Sequence, residues 1–432
     1  MKNRKALALI AILALVAAAC GGSDGGSDEA VVEVETTEAP ATTEAPTTTA
    51  APAPASDPLI LASLMPLSGD LASLGPGIAL GAALAVEQIN AAGGINGQPV
   101  QLIEGDSGCD GAVALTSLND VIAQGAQGVM GAACSGTSLA ILDTAIAAEV
   151  VMVSPSNTSP QFTKIDKKGF YARTAPSDLL QGDVLASLLV EDGVQTVSII
   201  SRADSYGRGL AEATAAAFEA AGGTVKTIVY HATDASEFTS EVTAVGKGGA
   251  DAIVGILFPE TGCGVLQPAF EQGLLDTPWY MTDGVKDAGL ASLCGLGTAL
   301  DGFKGTAPGS AAGEAKDAFE AAYAEVSADG SPTFIFAPQA YDAVMLMAIS
   351  AAANGVTGPE IASGLVAASS GGEKCIGVAC IALAADGVDV DYVGASGEIE
   401  LNAVGDPTAA TYDIWTTEGD THPVLKSVDF GS

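Results

Sequence analysis

Two short turns carry groups with which this chain could bind a small charged molecule. Residues 131–137 read Gly-Ala-Ala-Cys-Ser-Gly-Thr and residues 154–159 read Ser-Pro-Ser-Asn-Thr-Ser, and each turn follows a predicted strand. Hydroxyl groups and free backbone N–H groups at the start of a helix make a site for a carboxylate. Taken singly, each turn is better explained as a helix cap, because Ser and Thr are common N-cap residues.

Alternating strand and helix patterns place these turns at one edge of a parallel sheet. Predicted strands at 59–64, 100–104, 128–131 and 150–153 alternate with Ala-rich helices at 77–92, 112–124 and 138–148. A second series has strands at 196–201, 224–230 and 252–257 and helices at 207–221 and 236–246. This alternation predicts an α/β fold with two similar lobes, each built on a buried parallel sheet. Ligands of such sheets bind beyond the carboxyl ends of the strands, here between the lobes.

The N-terminal residues have the pattern of an export signal. Lys2, Arg4 and Lys5 precede an apolar stretch at 6–19, which is short for a membrane span and ends in small residues. We therefore expect a signal peptide over residues 1–19. Residues 15–20, Leu-Val-Ala-Ala-Ala-Cys, resemble the lipobox of bacterial lipoproteins, in which Cys20 is acylated and becomes the N-terminus. Cleavage after residue 19 with an unmodified thiol is the alternative.

Residues 20–57 are rich in Pro, Thr, Ala and acidic side chains. Such a composition cannot build a core, so we expect a disordered tether that follows the lipidated cysteine. The chain is then exported and lies at the outer face of the cell membrane, as part of the cell envelope, held by its lipid anchor.

Composition excludes several classes of function. The formal charge of −36 becomes three charges more negative once Lys2, Arg4 and Lys5 are removed, which excludes nucleic acid as a partner. With two histidines and no C-x-x-C pair, we expect no metal site. The one G-x-S-x-G match, at 21–25, lies outside any strand–turn–helix pattern, and no Walker loop is present. We therefore expect no cofactor, no catalytic residues and no enzymatic activity.

Six cysteines remain after Cys20 is assigned to lipid. An even number in an exported chain suggests disulfides. Pairing in sequence order gives Cys109–Cys134, Cys263–Cys294 and Cys375–Cys380, although six cysteines allow 15 connectivities.

Several further motifs are distributed over much of the chain after residue 58. They are 65–69 (Met-Pro-Leu-Ser-Gly), 85–97 (Ala-Val-Glu-Gln-Ile-Asn-Ala-Ala-Gly-Gly-Ile-Asn-Gly), 173–178 (Arg-Thr-Ala-Pro-Ser-Asp), 206–207 (Tyr-Gly) and 282–284 (Thr-Asp-Gly). Together they resemble the leucine/isoleucine/valine-binding proteins, the substrate-binding components of ABC transporters with the type I periplasmic-binding fold. The separation of Cys109 and Cys134 is also similar to that of a disulfide in this family.

The resemblance implies two Rossmann-like lobes joined by a three-strand hinge. The hinge strands would lie near residues 172–176, 305–308 and 394–397. Lobe 1 would comprise 58–174 plus 307–394, and lobe 2 would comprise 175–306 plus 395–432.

The resemblance also implies which residues hold the ligand. Ser135 would receive the α-carboxylate of an amino acid, aided by the backbone near Ser156 and by Thr158. The carbonyl of Ser156 and the hydroxyl of Thr158 would also face the α-ammonium. Tyr206 resembles the aromatic residue of the second lobe, and Asp283 stands where the family usually has a Glu for the ammonium.

Two further residues would line the pocket for the ligand side chain. Leu74 stands where the family often has an aromatic residue, and Phe258 aligns with a second wall, although core packing explains Phe258 equally well. We therefore expect a substrate-binding lipoprotein of an ABC importer that binds a branched-chain or other aliphatic amino acid. It would deliver this ligand to the permease and ATPase subunits. Amides or urea as ligands, and a receptor-like sensing role, are the alternatives.

Overall fold

Strands and helices alternate through residues 57–430, the part of the chain that the computed structural model describes. The predicted signal peptide, Cys20 and all but the last residue of the predicted tether lie outside the described residues. Within residues 57–430, no helix combines the length and the apolar character needed to cross a membrane.

Five parallel strands form the sheet of the first lobe. They are β1 (Ile60–Met65), β2 (Gln101–Asp106), β3 (Gly128–Gly131), β4 (Val151–Ser154) and β5 (Tyr171–Arg173), arranged in the order β2-β1-β3-β4-β5. The connecting helices are α1 (Gly75–Ala91), α2 (Gly111–Ala123), α3 (Ser135–Ala147) and α4 (Gln161–Lys164). Strands β3 and β4 are completely buried, as expected for a parallel sheet covered on both faces.

The sheet of the second lobe has seven strands, in the order β15-β14-β10-β9-β8-β6-β7. They are β6 (Thr196–Arg202), β7 (Thr224–His231), β8 (Ala252–Ile256), β9 (Trp279–Met281), β10 (Lys304–Pro308), β14 (Ala410–Thr416) and β15 (Val424–Phe430). Strands β6 to β10 are parallel, whereas β14 and β15 add an antiparallel edge. The helices are α5 (Asp178–Glu191), α6 (Ser205–Ala220), α7 (Thr239–Gly246), α8 (Pro259–Glu271) and α9 (Leu290–Leu293).

A small third sheet and four helices complete the described residues. The sheet contains β11 (Glu373–Ile376), β12 (Val390–Gly394) and β13 (Gly397–Glu398), and the helices are α10 (Glu314–Val326), α11 (Ala337–Asn354), α12 (Gly358–Gly364) and α13 (Ala379–Ala385). Helix α11 is buried along most of its length and packs against α1, α12 and α13. The predicted α/β class with two parallel sheets is confirmed, while the exact lobe boundaries stay a prediction.

The structure pairs six cysteines in sequence order. The Cα atoms are 5.4 Å apart in Cys109–Cys134, 4.9 Å apart in Cys263–Cys294 and 5.3 Å apart in Cys375–Cys380. The first bond ties the loop after β2 to the turn after β3 and holds Cys134 extended. Helix α3 therefore begins directly after it, at Ser135, three residues earlier than the sequence pattern predicts.

Candidate functional site

A small cavity lies where the carboxyl ends of strands from the two large sheets meet. Residues predicted to bind a ligand line it from both lobes: Leu74, Ser135, Ser156, Tyr206, Phe258 and Asp283. Thr158 does not line the cavity, although it is buried close by. The structure thus brings six of the seven predicted ligand residues to one place, and their roles stay a prediction.

One end of the cavity is formed by the two turns that carry hydroxyl groups. Ser135 begins α3, whose first-turn N–H groups have no partner within the helix. The Ser135 hydroxyl accepts a hydrogen bond of 3.4 Å from the backbone of Ser159. Asn157 of the second turn donates to the carbonyl oxygens of Ala132 and Ala133, at 3.1 and 2.8 Å. These bonds hold the two turns together, and the start of α3 is suited to bind an anionic group.

The second turn is also held from below by a buried arginine. Arg173 in β5 is fully buried, pairs with Asp406 at 3.0 Å and donates to the carbonyl oxygens of Asn157 and Ser159 at 3.1 and 3.0 Å. The nearby Arg173 charge is the main influence that keeps the pKa of Asp406 below its usual range against the opposing effect of burial. The turn is therefore positioned before any ligand arrives.

Asp283 supplies a buried carboxyl group at the other end of the cavity. The side chains of Tyr206 and Gln181 donate hydrogen bonds to its Oδ1, at 2.9 and 2.7 Å. Burial raises the pKa of Asp283 to about 6, although these two hydrogen bonds oppose the increase. Tyr206 and Gln181 leave Oδ2 unused, so this oxygen can accept a hydrogen bond from a ligand.

Asp178 adds a second buried carboxyl group that the sequence analysis did not select. It lies in the first turn of α5, and its backbone N–H donates to the carbonyl oxygen of Thr158 at 2.8 Å. Apart from the nearby Thr158 hydroxyl, which acts to lower its pKa, the Asp178 carboxyl group has no side-chain hydrogen-bond partner among the described residues. Burial raises the pKa of Asp178 well above its ordinary value, and the Asp283 carboxylate raises it further. A pair of buried acids with unused oxygen atoms is suited to a positively charged group.

Asp178 and Gln181 could have been found from the sequence. Asp178 ends the segment at 173–178 that carries the family resemblance, and Gln181 follows three residues later, which places both on one face of a helix. In the sequence analysis this segment indicated only the family, so Asp178 at its end was not selected as a ligand residue.

The remaining wall of the cavity is apolar. Leu71, Ile78 and Phe336 line it together with Leu74 and Phe258. Leu71 and Phe336 have backbone φ angles of 62° and 61°, which are uncommon for side chains other than Gly, Asn or Asp. Such conformations persist where surrounding structure enforces them, often at binding sites. No sequence pattern marks these two positions, because the φ angle is set by tertiary packing.

The site contains no arrangement suited to a metal ion. Among the His, Cys, Asp and Glu side chains of residues 57–430, no group is placed so that it could hold one. The chemistry of the cavity is therefore that of hydroxyls, backbone N–H groups, the Asp283 carboxyl group and an apolar wall, while the buried Asp178 lies near Asp283 but does not line the cavity.

Comparison with known proteins places this geometry in context. The profile of the periplasmic binding protein family matches residues 58–374. An amino acid binding protein of Pseudomonas aeruginosa is 34% identical over 238 residues, which are 53% of this chain and 62% of that protein. The match therefore spans less than two thirds of that relative. The leucine-, isoleucine-, valine-, threonine- and alanine-binding protein of the same organism is 29% identical over 304 residues, 68% of this chain and 78% of that protein.

Solved structures share the fold at lower identity. A branched-chain amino acid transporter substrate binding protein of Streptococcus pneumoniae, in complex with isoleucine, superposes with a TM-score of 0.72 at 22% identity, covering 87% of this chain and 100% of that one. A solute binding protein from R. palustris in complex with benzoate gives 0.71 at 18% identity, covering 87% and 98%. At these identities the likeness shows the fold alone, and it confirms the predicted type I periplasmic-binding architecture.

Proposed function

This chain belongs to the periplasmic binding protein family, and we propose that it binds an aliphatic, branched-chain amino acid in its cleft for an ABC importer. Like the relatives that it matches, it is a substrate-binding protein and not an enzyme. The choice of ligand rests on the residues of the cavity and on the buried acids near it, rather than on family membership.

The observation that carries the proposal is the pair of buried carboxyl groups opposite the start of a helix. Asp178 and Asp283 are both buried acids, which is costly when they are ionised, and the hydrogen bonds of Tyr206 and Gln181 to Asp283 use only one of its oxygen atoms. An α-ammonium group on the ligand would supply the missing charge and donors. Ser135 and the first turn of α3 would receive the α-carboxylate. The site thus has a matching group for each half of an amino acid zwitterion.

The apolar wall selects the side chain of the ligand. Leu71, Leu74, Ile78, Phe258 and Phe336 offer no polar side-chain atom to a ligand. A charged or amide side chain placed against them would lose its hydrogen bonds to water without replacement, whereas leucine, isoleucine or valine would gain by burial.

Other ligands fit the buried acids less well. Urea and short amides can donate hydrogen bonds, but they bring no positive charge to Asp178 and Asp283. An aromatic acid such as the benzoate of the R. palustris protein would place its carboxylate in the site without an ammonium to balance the two acids. A sensing role would use the same fold to report a bound ligand to a membrane partner without transport.

Capture and delivery would proceed by hinge closure. The amino acid would first bind the turns of the first lobe at Ser135, and the contacts of Tyr206 and Asp283 would then draw the second lobe over it. The closed form would dock on the permease. We propose that acylation of Cys20 keeps the protein at the outer face of the membrane, with residues 21–57 as the tether.

Calorimetric titration of the purified protein, stripped of bound ligand by unfolding and refolding, tests the proposal. The ligands are the twenty amino acids, urea, acetamide and benzoate. Micromolar or tighter binding of leucine, isoleucine or valine, with weaker binding of the rest, is expected. Tight binding of urea, acetamide or benzoate, without binding of any aliphatic amino acid, would overturn the assigned ligand while leaving the fold unaffected.

A further inference from the structure

A buried arginine lies just outside the ligand cavity and connects the two lobes. Arg202 ends β6 in the second lobe and is 2% exposed. Its Nη2 donates to a carboxyl oxygen of Asp70, in the loop after β1 of the first lobe, at 2.6 Å. Its Nε donates to Asp204 at 2.8 Å, and its Nη1 to the Thr261 hydroxyl at 3.4 Å. Of these three partners, Asp70 alone belongs to the first lobe.

The same guanidinium also packs on a wall of the cavity. Its central carbon lies 4.0 Å from the centre of the Phe258 ring, and Phe258 stacks on Tyr206 with ring centres 5.3 Å apart. Arg202 does not line the ligand cavity itself. It lines a neighbouring space at the mouth of the cleft, which shares Ser135, Tyr206 and Phe258 with the cavity. Arg202 can therefore act on a ligand only through other residues.

A second contact joins the lobes one residue further along the same loop. The Glu260 carboxylate, at the start of α8, accepts a hydrogen bond of 2.9 Å from the backbone of Leu71. Leu71 is a wall residue of the cavity with a positive φ angle. The second lobe thus holds residues 70 and 71 from two sides.

The surroundings of the Arg202–Asp70 ion pair make it stronger than a typical surface pair. Exposed salt bridges contribute little to stability, since water and salt screen them. Here the Arg202 side chain is 3% exposed and that of Asp70 is 24% exposed. The planar guanidinium satisfies two carboxylates and stacks on a ring at the same time, which the ammonium of a lysine could not do.

We propose that Arg202 is a positioning residue for ligand retention, which joins the lobes through Asp70 and fixes the Phe258 wall of the cavity. The cleft then stays closed for longer than the ligand contacts alone would keep it closed. The inference rests on the proposed function for its ligand-release readout, but its effect on closure does not need a ligand.

Two variants and a matched control test the proposal in the full chain. Asp70→Asn removes the interlobe ion pair while keeping the shape of the side chain. Arg202→Lys keeps the positive charge but loses the planar guanidinium that binds two carboxylates and stacks on the Phe258 ring. The control is Asp192→Asn, which removes the Lys304–Asp192 pair of 2.7 Å inside the second lobe, where Asp192 has a nearly equal side-chain exposure of 25%.

Small-angle X-ray scattering of the ligand-free protein gives the first readout. Asp70→Asn and Arg202→Lys are expected to increase the radius of gyration, whereas Asp192→Asn leaves it unchanged. Stopped-flow measurement with leucine gives the second. Both interlobe variants should release leucine about tenfold faster, with a much smaller change in the association rate. Melting temperatures equal to that of the control show that each variant is folded.

Equal radii and equal release rates in all four proteins would overturn the proposal. If leucine does not bind at all, the scattering comparison still shows whether the Arg202–Asp70 contact holds the two lobes together. Failure of the ligand assignment is thereby distinguished from failure of this proposal.

Discussion

The side-chain amide of Gln181 donates a hydrogen bond of 2.7 Å to the Asp283 carboxyl group, across 102 residues of sequence. The same amide also reaches the backbone carbonyl of Thr306 in β10 at 3.2 Å. Asp283 is therefore fixed in place from α5 and from β10 before a ligand arrives. Such preorganisation reduces the conformational cost of binding.

Neutralising Asp283 should weaken amino acid binding strongly. A hydrogen bond between a carboxylate and a ligand ammonium contributes about 1.5–3 kcal/mol, so Asp283→Asn should lower affinity for leucine roughly ten- to a hundredfold. Calorimetric titration measures the change. The matched control is Asp251→Asn, an exposed acid of the same lobe, which should bind like the unchanged protein. Equal affinities of the two variants would exclude Asp283 from the ligand site.

Asp178 should matter to a similar degree, although it was not expected from the sequence. Apart from the Thr158 hydroxyl, no side chain among the described residues donates to its carboxyl group, so a ligand ammonium would be its first charged donor. Asp178→Asn should lower leucine affinity by roughly tenfold or more. Asn keeps the size of the side chain and its position in the first turn of α5. If the variant binds leucine as tightly as the parent, the ammonium contacts Asp283 alone.

Leucine affinity should decrease as the pH falls below about 6. The pKa of Asp283 is raised to about 6 in the ligand-free protein, so protons occupy this carboxyl group in the range where the ammonium needs it ionised. Affinity should then fall by up to about tenfold per pH unit below that value. Titrations between neutral and mildly acidic pH measure the slope. Asp283→Asn should remove most of it, and an unchanged slope in this variant would assign the proton to another group.

The ligand-free protein should lose stability as the pH rises through about 6. The pKa of Asp283 is higher in the folded state than the ordinary 3.8, so its contribution to stability is present at low pH and is lost as the carboxyl group ionises. The difference corresponds to roughly 3 kcal/mol. Denaturant titrations at several pH values should therefore show a smaller loss in Asp283→Asn.

Two other buried acids affect the same measurement. Burial also raises the pKa of Asp342 to about 6, and it raises the pKa of Asp178 well above its ordinary value, so part of the loss should remain in Asp283→Asn. The test is therefore the difference between the variant and its parent. A variant with the full pH dependence of the parent would contradict the assigned role of Asp283.

Enlarging the cavity at its apolar wall should change which amino acid binds most tightly. Leu74 is 2% exposed and lines the cavity, so Leu74→Ala removes packing against an aliphatic side chain. We expect leucine to bind about tenfold more weakly and phenylalanine to gain relative to leucine. Leu115→Ala, a change of a half-exposed leucine in α2, is the control for the substitution itself. An unchanged order of preference would mean that the ligand side chain points away from Leu74.

The sequence predicted the first sheet and the second parallel series well, because their strands are short apolar runs bounded by helices of clear period. Strand β3 was predicted with its observed ends, Gly128 and Gly131. Ser135, Tyr206 and Asp283 were selected through motifs, and the structure brings them to one cavity. Local patterns of this kind are visible without tertiary information.

The features that were not predicted depend on tertiary packing. The positive φ angles of Leu71 and Phe336 leave no sequence signature, because both residues are apolar and neither is Gly or Asn. The Asp70–Arg202 pair joins residues 132 positions apart, and charge alone does not indicate which of the many acids Arg202 contacts. The antiparallel strands β14 and β15 were not predicted as strands, although the family resemblance assigned residues 395–432 to the second lobe.

The most direct test of the central claim compares leucine with 4-methylpentanoic acid, which has the same carboxylate and side chain but no amine. Both are titrated into the ligand-stripped protein at neutral pH. If Asp178 and Asp283 hold the ammonium, leucine should bind at least about a hundredfold more tightly, since the acid brings no positive charge to the two buried carboxyl groups. Equal binding of the two compounds would contradict the account, because the buried acids would then not be the site of an amine.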